Sequence, residues 1–196
     1  MVSLTQKEKQ ALLILFKDFT SFYNANSISR ILGISHVGAQ KIFKRLLDKS
    51  LLIDKRIGRA IIYRLKLDDD YVNELIAFLL ADESNNFKRW KEEFKELFRE
   101  GRFILIFGSA IKDYSKAKDI DIMIVMNKED INEINSILNK KQSILPKKLH
   151  VIKLTQEDLL KNLKKKDKVI IDIIKNAVIL YGQNKYVEVI KNVTNI

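Results

Sequence analysis

Along the first 66 residues, apolar positions recur first at helical and then at strand spacing. Leu12, Leu13, Leu15, Phe16 and Phe19 form one helical stripe, with Thr5 placed to cap it. A short second helix fits Ser27–Leu32 and stops at Gly33. Ser35 then opens a third, which turns Ala39, Phe43 and Leu46 inward. Two strands, 51–54 and 60–65, follow around a basic connection whose Gly58 supplies the turn. Further on, the spacing predicts helices over 71–80 and 87–99, separated by a polar break at 82–86. The second of these carries Phe87, Trp90, Phe94, Leu97 and Phe98, read as core packing behind the next strand. Apolar runs at 103–107, 119–125 and 148–154 predict strands, and 178–182 is a short apolar piece before the last helix. These segments alternate with helices over 128–139, from Thr155 as cap, over 167–176, and over 184–192.

The strand pattern at 119–125 contains the most informative chemistry. Successive strand residues point to opposite faces, so Asp119 and Asp121 share one side while Ile120, Ile122 and Ile124 take the other. Two adjacent carboxylates repel each other unless a cation lies between them. Oxygen donors on a rigid edge suit Mg²⁺, whose shell is completed by waters and substrate phosphates. The preceding apolar run ends in Gly108-Ser109, where the glycine lets a ligand approach the backbone and a helix beginning at Ser109 would offer N–H groups to phosphate. Read together, these parts predict a nucleoside-triphosphate site with a metal. The competing reading is a pair of solvated carboxylates at a strand mouth.

An apolar strand, Gly-Ser, a gap of this length and Asp-x-Asp in the next strand resemble the minimal nucleotidyltransferases of the DNA polymerase beta superfamily. The resemblance runs from about Asn86 to Ile196 and rests on Gly108, Ser109, Asp119 and Asp121. It implies Mg²⁺ (or Mn²⁺) on Asp119 and Asp121, and an NTP seated on Gly108 and Ser109. The family's third carboxylate belongs on a later strand, where this chain has His150. Histidine can ligate a transition metal or act as a base near neutral pH, but it does not replace Asp for Mg²⁺. The nearest acids, Glu157 and Asp158, lie beyond that strand. The family's frequent Arg-Gly after Gly-Ser is absent as well, replaced by Ile111-Lys-Asp-Tyr.

Composition adds a second function. Of the net charge of +11, residues 1–66 hold 13 Lys and Arg against 4 Asp and Glu, a local surplus that suggests a polyanion-binding module. Helix, helix, turn, helix and basic hairpin resemble the winged helix-turn-helix of ArsR- and MarR-type regulators. That resemblance places Ser35, His36, Gln40, Lys41 and Lys44 of the third helix at the major groove. Gln40 would read adenine, the lysines phosphate or guanine, and Arg56 and Arg59 the backbone or minor groove. A basic face that docks protein is the alternative, and His36 alone is read as a surface residue.

The predicted class is α+β: a winged-helix domain (1–68), a linker helix (69–86) and a small mixed-sheet nucleotidyltransferase domain (87–196). Absence of cysteine excludes disulfides, thiolate metal sites and cysteine nucleophiles. No apolar window reaches the length of a membrane span, and the amino terminus lacks a secretory pattern, so a cytoplasmic protein is expected. Winged helices commonly pair, so a homodimer on duplex DNA is expected too. Two functions remain open: an enzyme transferring a nucleoside monophosphate to an acceptor hydroxyl, or a regulator whose second domain senses nucleotide or has lost catalysis.

Overall fold

The computed structural model describes residues 3–194. The outermost two residues of the ranges 1–68 and 87–196, including the Met1-Val2 start of the segment read for a leader, lie outside the described residues. The chain divides into two compact units that meet between Leu79 and Leu80.

The first unit contains α1 (Gln6–Lys17), α2 (Ala25–Leu32), α3 (His36–Asp48) and a hairpin of β1 (Leu52–Ile57) with antiparallel β2 (Ala60–Leu65). Local signals explain the helix starts. Thr5 and Glu8 cap each other's backbone at α1, and Ser35 Oγ accepts from the Gly38 N–H at 3.0 Å to open α3. Helix α2 begins two residues before the sequence-based start, because Asn24, not a residue beside Ser27, is its cap, with Ser27 as the reciprocal partner. Gly33 ends it at φ +62°, a left-handed conformation that glycine adopts without strain. Ala39, Phe43 and Leu46 are buried as expected, and Phe43 stacks on Tyr63 of β2 with centroids 4.0 Å apart. Buried Glu8 joins α1 to α3: Arg45 Nε donates to its carboxylate at 2.6 Å.

The second unit is mixed α and β around one four-stranded mixed sheet. Its strands are β3 (Phe103–Phe107), β4 (Asp119–Val125), β5 (Lys148–Leu154) and β6 (Val178–Tyr181), in the order β5-β4-β3-β6. The β4–β5 pair is parallel; β3 is antiparallel to both β4 and β6. Ile120, Ile122 and Ile124 face a core that contains Trp90, Phe94, Leu97, Ile134 and Leu138. Val125 and Met123 are buried on the opposite face, where Phe103 meets Tyr186 edge-to-face at 5.5 Å. Helices α6 (Ile131–Ile144), α7 (Gln156–Lys164), α8 (Lys168–Asn176) and α9 (Gln183–Thr194) complete the unit.

Several boundaries differ from the sequence reading. The polar break at 82–86 is mostly helical: α4 (Asp70–Ser84) continues into a 3₁₀ turn at 85–87. The single helix expected over 87–99 is α5 (Lys88–Phe94) flanked by 3₁₀ turns. Neither Phe87 nor Phe94 offers a side-chain cap, so the ends tighten instead. The aromatic residues still reach the core as predicted. Helix α6 starts at Ile131, after a 3₁₀ turn, and extends to Ile144. Gln142 holds that last turn by accepting from the Leu149 N–H at 2.8 Å and donating to Lys147 O at 3.3 Å. At α7 the reciprocal partner of Thr155 is Asp158. Among the described residues no helix is long and apolar enough to cross a membrane.

Candidate metal and nucleotide site

Strand register brings the predicted residues of the second unit together. Phe107, the last residue of β3, pairs with Asp121, so Gly108 lies immediately beside that carboxylate. Gly108 has φ +77°, and a β-carbon there would collide with Asp121 Oδ2. Only glycine lets the strand end turn away at this point. The helix expected from Ser109 is a correction: a single 3₁₀ turn (Ser109–Ile111) stands there. Ser109 is exposed, and its carbonyl accepts from the Lys112 and Asp113 N–H groups at 3.0 Å each. One such turn aligns too few peptide groups for the helix-terminus contribution to phosphate binding.

Across the parallel pair, Asp121 is the direct partner of His150, and Asp119 that of Lys148. His150 Nδ1 lies 3.3 Å from Asp119 Oδ2 and 3.5 Å from Asp121 Oδ1. One donor atom from each of the three residues falls within 4.8 Å of the others, the spacing of ligands around one ion. Burial, and next the neighbouring charge of Asp119, hold the Asp121 carboxyl above the usual carboxylate range; His150 pulls it the other way. Carboxylates in this state favour a bound cation. Asp158 does not supply the missing third carboxylate, because its Oδ2 accepts from the Thr155 hydroxyl at 2.7 Å and N–H at 3.1 Å. The donor set therefore fits a divalent cation, though with an imidazole where Mg²⁺ would favour oxygen.

Asp121, His150 and Gly108 open onto a cleft of about 580 Å³, a volume in the range of small-molecule sites. Phe107, Ile111, Ile152, Val169 and Ile173 supply apolar wall; Lys112, Lys168, Asp172 and Asn176 supply polar groups. Asn176 Nδ2 donates to Asp172 Oδ1 at 3.1 Å, which fixes both side chains. Sequence reasoning did not assign these four. Lys112, three residues after Ser109, was legible as a cation next to the Gly-Ser turn. Lys168, Asp172 and Asn176 carry no local signal, since only the packing of α8 brings them to the cleft.

In the first unit, His36, Gln40, Lys41 and Lys44 are exposed on α3, and Arg56 and Arg59 on the hairpin. The Ser35 hydroxyl is engaged in capping α3.

Residues 91–186 match the family described as "Polymerase beta, Nucleotidyltransferase". That stretch is just under half of the chain and gives the second unit a nucleotidyltransferase-like fold. No curated protein matches the chain in sequence. Among solved structures, a mutant of Lactococcus lactis ZitR is similar at 15% identity, over 73% of this chain and 76% of that chain, with a TM-score of 0.35. The same mutant in complex with DNA gives 17% identity, 72% and 77% coverage, and a TM-score of 0.35. A likeness at that level supports no statement about fold or function here.

Proposed function

We propose that the second unit binds a nucleoside triphosphate with a divalent cation and transfers its nucleoside monophosphate to an acceptor hydroxyl. The observation that carries this reading is the convergence of Gly108, Asp121 and His150 on one cleft, with Asp119 within ligand spacing of the last two. Asp119, Asp121 and His150 would hold the cation, which when bound neutralises phosphate charge and aligns the triphosphate. Gly108 leaves the backbone open to the phosphates, and the Ser109 hydroxyl is free to donate to them. Lys112 and Lys168 add positive charge along the cleft, and its apolar wall suits the base. In the transfer, the acceptor oxygen bonds to the α-phosphorus as the bond to the bridging oxygen breaks. Pyrophosphate leaves, and the hydroxyl proton goes to solvent. Positioning and charge stabilisation carry the rate.

For the first unit we propose a winged helix that binds duplex DNA as a homodimer, with α3 as recognition helix and the hairpin as wing. Its charge surplus supports this reading, as does the exposure of Gln40, Lys41, Lys44, Arg56 and Arg59. In the domain scheme, residues 1–68 form this module, 69–86 a linker helix and 87–196 the transferase domain. A second reading, a DNA-binding regulator that senses nucleotide without transferring it, is favoured by His150 standing in the place of an acid.

Calorimetry of NTP with Mg²⁺ or Mn²⁺ tests the site. Substituting Asp119→Ala and Asp121→Ala together is expected to abolish metal-dependent nucleotide binding while the thermal melt stays intact. Unchanged affinity in the double variant would overturn the assignment. Labelled NTP incubated with the protein and candidate acceptors separates the two readings: label transfer supports the enzyme, and nucleotide binding without transfer leaves the sensor.

A further inference from the structure

We infer that the Asp119-Asp121-His150 centre selects a later first-row transition ion, such as Zn²⁺, over Mg²⁺, and that His150 is one of its ligands. This rests on the reading of Asp119 and Asp121 as the cation-holding pair. Three features converge. His150 is in register with Asp121 on an adjoining parallel strand, so both side chains leave the sheet on the same face. Its Nδ1 is directed at both carboxylates, at 3.3 and 3.5 Å, so that nitrogen lies where a third donor belongs. Of the two acids that follow β5, Glu157 and Asp158, the second is committed by its carboxylate to the cap of α7.

Ligand chemistry then sets the choice. Mg²⁺ demands near-octahedral oxygen coordination and gives up its waters reluctantly, so an imidazole contributes little to holding it. Imidazole nitrogen binds the later first-row ions well, and two carboxylates with one imidazole form a donor set they accept readily. A centre built this way keeps its charge-neutralising pair of acids but changes which ion it retains when several compete. His150 is exposed on the edge strand of the sheet, so its replacement leaves the core untouched.

The test uses the full chain, stripped with chelator and without nucleotide. Calorimetric titration with MnCl₂, ZnCl₂ and MgCl₂ is run on the native protein and on His150→Asp and His150→Ala. Because transition ions outbind Mg²⁺ at most sites, the quantity that decides is the change in the ratio. The Zn²⁺-to-Mg²⁺ affinity ratio is expected to fall by roughly tenfold or more in His150→Asp, with tighter Mg²⁺ binding than native. With Mn²⁺ bound, pulsed EPR is expected to show ¹⁴N coupling from imidazole in the native protein and none in either variant. An unchanged ratio, or no ¹⁴N coupling in the native protein, overturns the inference. Asp119→Asn separates this from failure of the underlying reading: loss of all cation binding in that variant keeps the reading even when selectivity is absent. If cation binding survives it, the ion lies elsewhere and both fall.

Discussion

Gly108 and Asp121 approach so closely that a β-carbon on the glycine would overlap the aspartate's Oδ2. The contact follows from the register of β3 against β4, in which Phe107 is the partner of Asp121 and Gly108 is the next residue out. Backbone and carboxylate thus share a boundary of the cleft, and the orientation of Asp121 depends on a side chain that is not there.

Gly108→Ala is therefore expected to do two things at once. The positive φ costs about 1–3 kcal/mol of stability, measurable by urea unfolding followed through Trp90, the single tryptophan. The displaced Asp121 carboxylate should weaken cation and nucleotide binding in calorimetry. An alanine variant with native affinity would mean that Asp121 does not need this position.

Glu8 gives a pH-dependent test of the first unit. Burial alone would raise its pKa, but the hydrogen bonds from Arg45 and from Thr5 outweigh burial, and the carboxyl titrates below its ordinary value of 4.5. Its stabilising effect is thus fully present above that value and is lost as pH falls through the lowered folded-state pKa. Glu8→Gln should cost about 2 kcal/mol near neutral pH, the worth of hydrogen bonds to a charged group. The difference between variant and native protein should shrink towards zero in acid. Hydrogen-exchange protection of α1 amides, compared between the two proteins at each pH, reads this directly. A difference that stays constant down to pH 3 would contradict the assignment.

Exposed Arg56 and Arg59 on the hairpin test the proposed wing. Each phosphate contact contributes about −0.9 to the slope of log affinity against log salt. Replacing both arginines with alanine should weaken binding to all duplex sequences and flatten the slope by up to about two units per protomer. Gln40→Ala should instead relax preference at one base pair, costing about 1–3 kcal/mol on the preferred site. If native protein shows no salt-sensitive affinity for duplex DNA at low ionic strength, the basic face serves another purpose.

Much of this molecule is written in short-range pattern. Thr5, Ser35 and Thr155 mark helix starts because a cap is a contact between residues three apart. The alternation of Asp119 and Asp121 with Ile120, Ile122 and Ile124 decided which side of β4 meets the core, because a strand has a period of two. Gly-Ser and Asp-x-Asp were legible for the same reason. Helix extents were less so: α6 runs to Ile144 because Gln142 reaches the start of β5, a bond between elements that no periodicity contains. The neighbours of the two aspartates were likewise decided by tertiary structure. Parallel pairing of β4 with β5 sets His150 beside Asp121, and packing of α8 carries Lys168 and Asn176 to the cleft. Residues nearly thirty and fifty positions apart become neighbours only through sheet register and helix packing. Those in turn are selected by burial of the whole apolar set, not by any local run of the chain.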